Sequence, residues 1–147
     1  MNRWMLKRRV DAEAVRRAIE EAESRTSGEI RVSVSTFFFG SVRRTAEAAF
    51  VRLGMNRTAE RNGILFFVVP SRRAFVVLGD EGIHARVGQE FWDTVAAEIS
   101  TRFKAGDFTG GLVHGITAAG TQLAAHFPYQ GARDRNELPD EVEFGRR

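Results

Sequence analysis

The spacing of apolar positions predicts two helices around a strand in the first third of the chain. Apolar residues recur at helical spacing after Asp11, which is placed as an N-cap, and this pattern ends near Ser27-Gly28. Residues 29–35 alternate between polar and apolar, as in a strand with one apolar face. Helical spacing returns from Val42 to Leu53, and Gly54 follows at the position of a C-cap.

The later pattern predicts a hairpin and two more helices. Residues 63–69 are continuously apolar, which is typical of a central strand covered on both faces. A short turn leads into residues 74–78, so these two strands are predicted to be antiparallel. One helix is predicted from Ile83 to Lys104, with a bend at Gly88. Another is capped by Asp107 and ends at Phe127-Pro128.

The order of these elements predicts the fold. A strand, a helix and a second strand form a crossover unit, so the strands that start at Glu29 and Gly63 are expected to be parallel. We therefore predict an α/β fold, a three-layer α/β/α sandwich around a small mixed β-sheet. Residues 1–10 form a basic N-terminal segment, residues 11–128 the domain, and residues 129–147 a polar tail. The tail is expected to dock partly, through Leu138, Val142 and Phe144.

Composition narrows the classes of function. All but Lys7 and Lys104 of the 22 basic residues are arginine, and they are interleaved with acids to a net charge of only +3. Such a spread argues against nucleic acid as a partner, because nucleic-acid binders concentrate positive charge on one face. The chain contains no cysteine, which excludes disulfides and thiolate chemistry. No apolar run has the length of a signal peptide core or a membrane span, so we expect a cytoplasmic protein.

Candidate chemistry lies where the second hairpin strand ends, at Gly79-Asp80-Glu81-Gly82. In the predicted topology this corner meets Glu29 and Asn62 at one edge of the sheet. Asp80, Glu81, Glu29 and Asn62 carry the oxygen ligands that Ca²⁺ and Mg²⁺ prefer. We predict a site for one of these ions there, with Arg61 and His84 beside it. An alternative reading is that Asp80 or Glu81 caps the next helix and Arg61 pairs with an acid.

Few other residues are candidates for metal ligands or for a binding surface. The three histidines, His84, His114 and His126, are not at ligand spacing, which argues against zinc. Phe37, Phe38 and Phe39 are consecutive and cannot all enter one core. They either pack under a loop or form a surface for a protein partner. The sequence does not predict an oligomeric state.

Four motifs resemble, in order and spacing, those of the TPM domain family, which includes thylakoid-lumen proteins linked to photosystem II repair. They are Ser27-Gly28-Glu29-Ile30, Asn62-Gly63-Ile64-Leu65, Gly79-Asp80-Glu81-Gly82-Ile83 and residues 103–108. The resemblance covers about residues 11–128. Phe91-Trp92 and residues 136–141 further resemble a short, stand-alone bacterial branch.

The resemblance implies an α/β/α sandwich with calcium or magnesium at the sheet edge. Acid phosphatase activity has been proposed for the plant members of the family. Most relatives are exported, whereas this chain is expected to carry no signal peptide, membrane helix or Gly-rich tail. The resemblance places no nucleophile.

Two functions follow as hypotheses. The first is a divalent-cation-binding accessory or interaction module without turnover. The alternative is a metal-assisted phosphatase, in which Arg61 steadies the phosphoryl charge and Glu81 activates water.

Overall fold

The described residues form one four-stranded sheet in the order β3-β2-β1-β4. The computed structural model describes residues 10–36, 39–131 and 139–145. β1 pairs in parallel with both β2 and β4, and β3 is antiparallel to β2. The predicted mixed sheet is therefore confirmed. The strands are β1 (Glu29–Val34), β2 (Gly63–Val69), β3 (Ala74–Gly79) and β4 (Glu143–Phe144).

Among the described residues, four α-helices pack on the two faces of this sheet: α1 (Ala12–Glu23), α2 (Val42–Arg52), α3 (Glu81–Lys104) and α4 (Phe108–His126). Their predicted N-caps are confirmed at Asp11 and Asp107, whose side chains accept hydrogen bonds from amides three residues later. Helices α1, α3 and α4 share the larger core with one face of the sheet. Helix α2 packs with Met55 on the other face. These three layers confirm the predicted sandwich.

Some local predictions were wrong. Helix α1 ends at Glu23, before the predicted stop at Ser27-Gly28, and Ser24 is its C-cap. Thr26 instead forms a β-bridge with Pro128, so the chain is already outside the helix at this residue. After α2, a short 3-10 turn spans Met55–Arg57, and Thr58 is its C-cap.

The polar face of β1 is also more buried than its alternation suggested. Glu29 and Ser33 are both buried. The tail enters the sheet through β4, where Ser33 lies opposite Glu143. The Ser33 hydroxyl donates to the Glu143 carboxylate at 2.7 Å. Phe144 lies in the larger core and Val142 packs against it, whereas Leu138 lies outside the described residues.

Two glycines shape the helical layer, and one of them, Gly88, was predicted to bend its helix. Gly88 interrupts α3 with φ 75° and ψ 173°, a conformation that only glycine adopts readily, and this produces the expected bend. Gly120 of α4 lies so close to α1 that an added Cβ would stand 2.8 Å from the Cβ of Ala22. Within the described ranges, no helix has the length and apolar character needed to cross a membrane.

Candidate functional site

The sheet edge that the sequence singled out is formed as the topology predicted. Glu29 lies opposite Gly63 in the β1–β2 pair, and Gly79 lies opposite Ile64 in the β2–β3 pair. The Asp80 amide donates to the Gly63 carbonyl at 2.9 Å, which extends this pairing by one residue. Three chain corners therefore meet at one edge, but their side chains separate into distinct groups.

The first group joins Asp80, Arg61 and Glu81. The Arg61 guanidinium donates to both Asp80 oxygens, with Nε–Oδ2 2.5 Å and Nη2–Oδ1 2.9 Å, and to Glu81 Oε1 at 3.1 Å. The Asp80 hydrogen bond is the main reason why the pKa of Arg61 is raised above its usual value. The side chain of Asp80 is 7% exposed, that of Arg61 40% and that of Glu81 72%. Two carboxylates thus share one accessible cation.

Asp80 and the backbone of Arg61 also anchor the start of α3. Asp80 is the N-cap of α3, and its Oδ1 accepts from the Glu81 amide at 2.9 Å. The backbone of Arg61 has the left-handed conformation, with φ 52°. Its carbonyl accepts hydrogen bonds from the Gly82 amide at 2.8 Å and the Ile83 amide at 3.3 Å. The amides of the first turn are therefore bound to protein groups. The alternative prediction of a cap and an arginine–acid pair accurately describes these contacts.

Asn62 directs its amide away from the two acids. Its Oδ1 accepts from the Thr58 hydroxyl at 3.4 Å, and its Nδ2 donates to Ser27 Oγ at 3.4 Å and Glu60 Oε2 at 3.3 Å. The side chain is almost wholly buried. Asn62 thus ties together the loops that precede β1 and β2.

Glu29 belongs to a second acidic group, beside Glu23 and the tail. Glu23 Oε2 accepts from the Ile30 amide at 2.7 Å, and the Glu23 side chain is hydrogen bonded to Asp140. Burial, the hydrogen bond to Asp140 and the charge of Glu29 raise the pKa of Glu23 to about 11. Glu23 and Asp140 were not predicted from the sequence as members of a site. Their separation in sequence provided no local signal, and only the docked tail brings them together.

His84 is hydrogen bonded within α3, and Phe39 is exposed to solvent. His84 Nδ1 accepts from the Trp92 indole at 2.9 Å, so one side of the ring is engaged within α3. Phe39 is 84% exposed, whereas Phe37 and Phe38 lie outside the described residues. Neither observation tests a role in ligand or partner binding. Of the other histidines, His114 contacts Glu98.

A cation at the sheet edge would therefore have few protein ligands. Asp80 and Glu81 converge, whereas Asn62 and Glu29 are engaged elsewhere. Across residues 10–36, 39–131 and 139–145, no three Asp, Glu, His or Cys side chains are grouped so that they could hold a metal ion. Two carboxylates suit an ion that keeps most of its water, as Mg²⁺ commonly does, better than an ion held in a closed protein cage.

Comparison with known proteins identifies the fold and the family. The chain is 40% identical to the BA42 protein of the psychrophilic bacterium Bizionia argentinensis, over 92% of each chain and with a TM-score of 0.84 to its NMR structure. The N-terminal domain of the cg2496 protein of Corynebacterium glutamicum has the same fold at 14% identity. That match has a TM-score of 0.60 and covers 76% of this chain and 70% of that one. None of the curated proteins matches. Residues 5–122 match the TPM domain, and the chain belongs to the TPM domain family.

Proposed function

We propose that this protein is a cation-responsive binding module without turnover, in which Mg²⁺ or Ca²⁺ displaces the Arg61 guanidinium from Asp80 and Glu81. The convergence of two carboxylates on one accessible guanidinium is the observation that carries the proposal. The guanidinium acts as a built-in cation that offsets one of the two negative charges of the pair. A divalent ion brings more charge to the same oxygens, and water completes its coordination.

The contacts of Arg61 determine what displacement would change. Its backbone carbonyl holds the first turn of α3, whereas its guanidinium holds the acids. An ion that takes the acids releases only the side chain of Arg61, which then extends into solvent. The surface charge at this edge changes while α3 stays docked. A protein partner can use this change in charge to distinguish the ion-bound form from the ion-free form.

The proposal is tested by thermal unfolding with MgCl₂ or CaCl₂ at constant ionic strength. An ion at about 100 times its dissociation constant adds about 2.7 kcal/mol to the free energy of unfolding. Arg61→Gln removes the competing cation, so its titration midpoint is expected at a lower ion concentration than that of the wild type. Arg16→Gln is the matched control, because Arg16 pairs with Glu13 and Glu20 on the surface of α1.

Two results would contradict the proposal. One is the absence of an ion-dependent shift in both the wild type and Arg61→Gln. The other is an unchanged shift in the double variant Asp80→Asn, Glu81→Gln, because the ion would then bind elsewhere. In addition, cell fractionation tests the expected cytoplasmic location.

The alternative, a metal-assisted phosphatase, has less support from the geometry. Arg61 was expected to hold a phosphoryl group, but its Nε, Nη1 and Nη2 already donate to Asp80 and Glu81. Hydrolysis of p-nitrophenyl phosphate with Mg²⁺, from acid to neutral pH, is the direct assay. Turnover that disappears in both Asp80→Ala and Glu81→Gln would favour the enzyme and contradict a module without turnover.

A further inference from the structure

Strand β3 forms one edge of the sheet, and its outer side is unpaired in the part of the chain that the structure describes. The Asp80 amide bonds to β2, and main-chain groups alternate in direction along an antiparallel strand. The amides and carbonyls of Phe75, Val77 and Gly79 therefore point away from β2. They form a row of three donors and three acceptors at the open edge.

A slot of about 390 Å³ runs along this edge. One wall is formed by α3, whose side chains there come from both sides of the Gly88 bend: His84, Gln89, Trp92, Asp93 and Ala96. Arg43 of α2 borders the slot from the other face of the sheet. The unpaired main chain thus lies between a wall formed by α3 and a second wall formed by Arg43.

The sequence of β3 leaves this edge without the usual protection. Exposed edge strands commonly carry charged residues or proline, or are covered, because unpaired backbone recruits other strands. Residues 74–79 are Ala-Phe-Val-Val-Leu-Gly, with no charge and no proline. All six are half-buried, so the edge is neither covered nor fully open.

The two walls carry opposite charges. Within the described residues, Arg43 has no ion pair, and Asp93 accepts one hydrogen bond, from Gln89 Nε2 at 3.0 Å. Arg43 lies on the α2 face of the sheet and Asp93 on the α3 face. Side chains of an added strand alternate between these faces. An acidic residue next to a basic residue in such a strand would therefore meet Arg43 and Asp93 respectively.

We infer that the slot binds an extended segment of another protein, which joins β3 as a fifth strand. Its main chain bonds to Phe75, Val77 and Gly79, and adjacent acidic and basic side chains face Arg43 and Asp93. A second copy of this chain is a poorer occupant, because its own β3 lies between its own α2 and α3. These helices would meet the walls of the slot.

The probe is a synthetic peptide, Thr-Val-Glu-Lys-Val-Thr, acetylated and amidated, followed by amide NMR shifts of the full chain. The amides of Phe75, Val77 and Gly79 are expected to shift on binding. Two N-methylated forms of the peptide provide a matched pair. One is methylated at its first valine and its lysine, and the other at its glutamate and its second valine. Successive amides point to opposite sides of a strand, so one form should bind and the other should not.

Variants of the protein test the walls and the edge separately. Arg43→Glu with Asp93→Lys changes only exposed wall residues and is expected to weaken binding about tenfold. Val77→Pro removes an outward amide, a position at which an edge strand tolerates proline, and is expected to abolish binding. Should Val77→Pro not fold, the N-methylated peptides still block the same bonds.

Three results would overturn the inference. These are equal binding of both N-methylated peptides, unchanged binding to the charge-reversed walls, and peptide-induced shifts confined to residues outside the slot. Shifts of the same three amides on dilution, without peptide, would also overturn it, because they would identify a second copy as the occupant.

Discussion

Arg61 holds two neighbours at once, because its backbone and its side chain face different partners. The left-handed backbone turns its carbonyl towards the first amides of α3, and the guanidinium turns towards Asp80 and Glu81. Gly82 makes this contact close: an added Cβ would stand 2.2 Å from the Glu60 carbonyl and 2.6 Å from that of Arg61. Both neighbours are backbone atoms, so the clash cannot be relieved by rotating a side chain.

The Gly82→Ala substitution is therefore expected to lower the free energy of unfolding by about 3 kcal/mol. Chemical denaturation measures the loss. Gly145→Ala is the control, because its Cβ would make only ordinary contacts, the nearest at 3.6 Å from the Val34 carbonyl. Equal stability of the two variants would show that α3 does not dock tightly on Arg61.

At the scale of elements, the short strand β4 contacts both β1 and α2. Glu143 accepts from Ser33 at 2.7 Å and lies 3.3 Å from the Arg52 guanidinium, so β4 connects β1 to α2. Arg31 lies beside this carboxylate, and burial lowers the pKa of Arg31. The next residue, Phe144, packs into the larger core. The tail is thus a structural part of the sheet.

We expect Phe144→Ala to lower the free energy of unfolding by about 3 kcal/mol, because a buried ring is lost from the core. Val51→Ala, at a position 57% exposed on α2, is the control and is expected to cost less than about 0.5 kcal/mol. Urea denaturation compares them. A loss for Phe144→Ala as small as that of the control would mean that β4 is not docked in solution.

At the scale of the whole molecule, the half-buried acid Glu23 links the first helix to Asp140 of the tail. The pKa of Glu23 is about 11 in the folded chain, against 4.5 for an ordinary glutamate. The folded state therefore binds this proton more tightly than the unfolded state. Its contribution to stability is full below pH 4.5 and is lost progressively as the pH rises towards 11.

Glu23→Gln cannot lose a proton, and its amide retains an acceptor for the Ile30 amide. Between pH 5 and 9, the unfolding free energy of this variant is expected to fall less with rising pH than that of the wild type. Thermal melts across this range measure the difference, with Glu47→Gln, at an exposed position of α2, as the control. Parallel pH profiles for wild type and Glu23→Gln would contradict the assignment.

Local signals predicted much of the fold and half of the candidate site. Asp11 and Asp107 were recognised as caps because a cap and the amide that it binds are three residues apart. Asp80 and Glu81 were placed together because a strand end and a helix start adjoin in sequence. Glu29 was assigned to the same group, because strand order brings it to the edge but does not show which neighbours its side chain meets.

By itself, the sequence determined the elements, the strand directions and the edge where three corners meet, because these follow from periodicity, short turns and the handedness of crossovers. Only the tertiary structure decided which charges pair. The Arg61 contacts span 19 and 20 residues, and the contact of Glu23 with Asp140 depends on the returning tail. The open slot beside β3 likewise exists only when α2 and α3 stand on opposite faces of one strand. Such contacts depend on packing between distant segments, for which the sequence carries no local pattern.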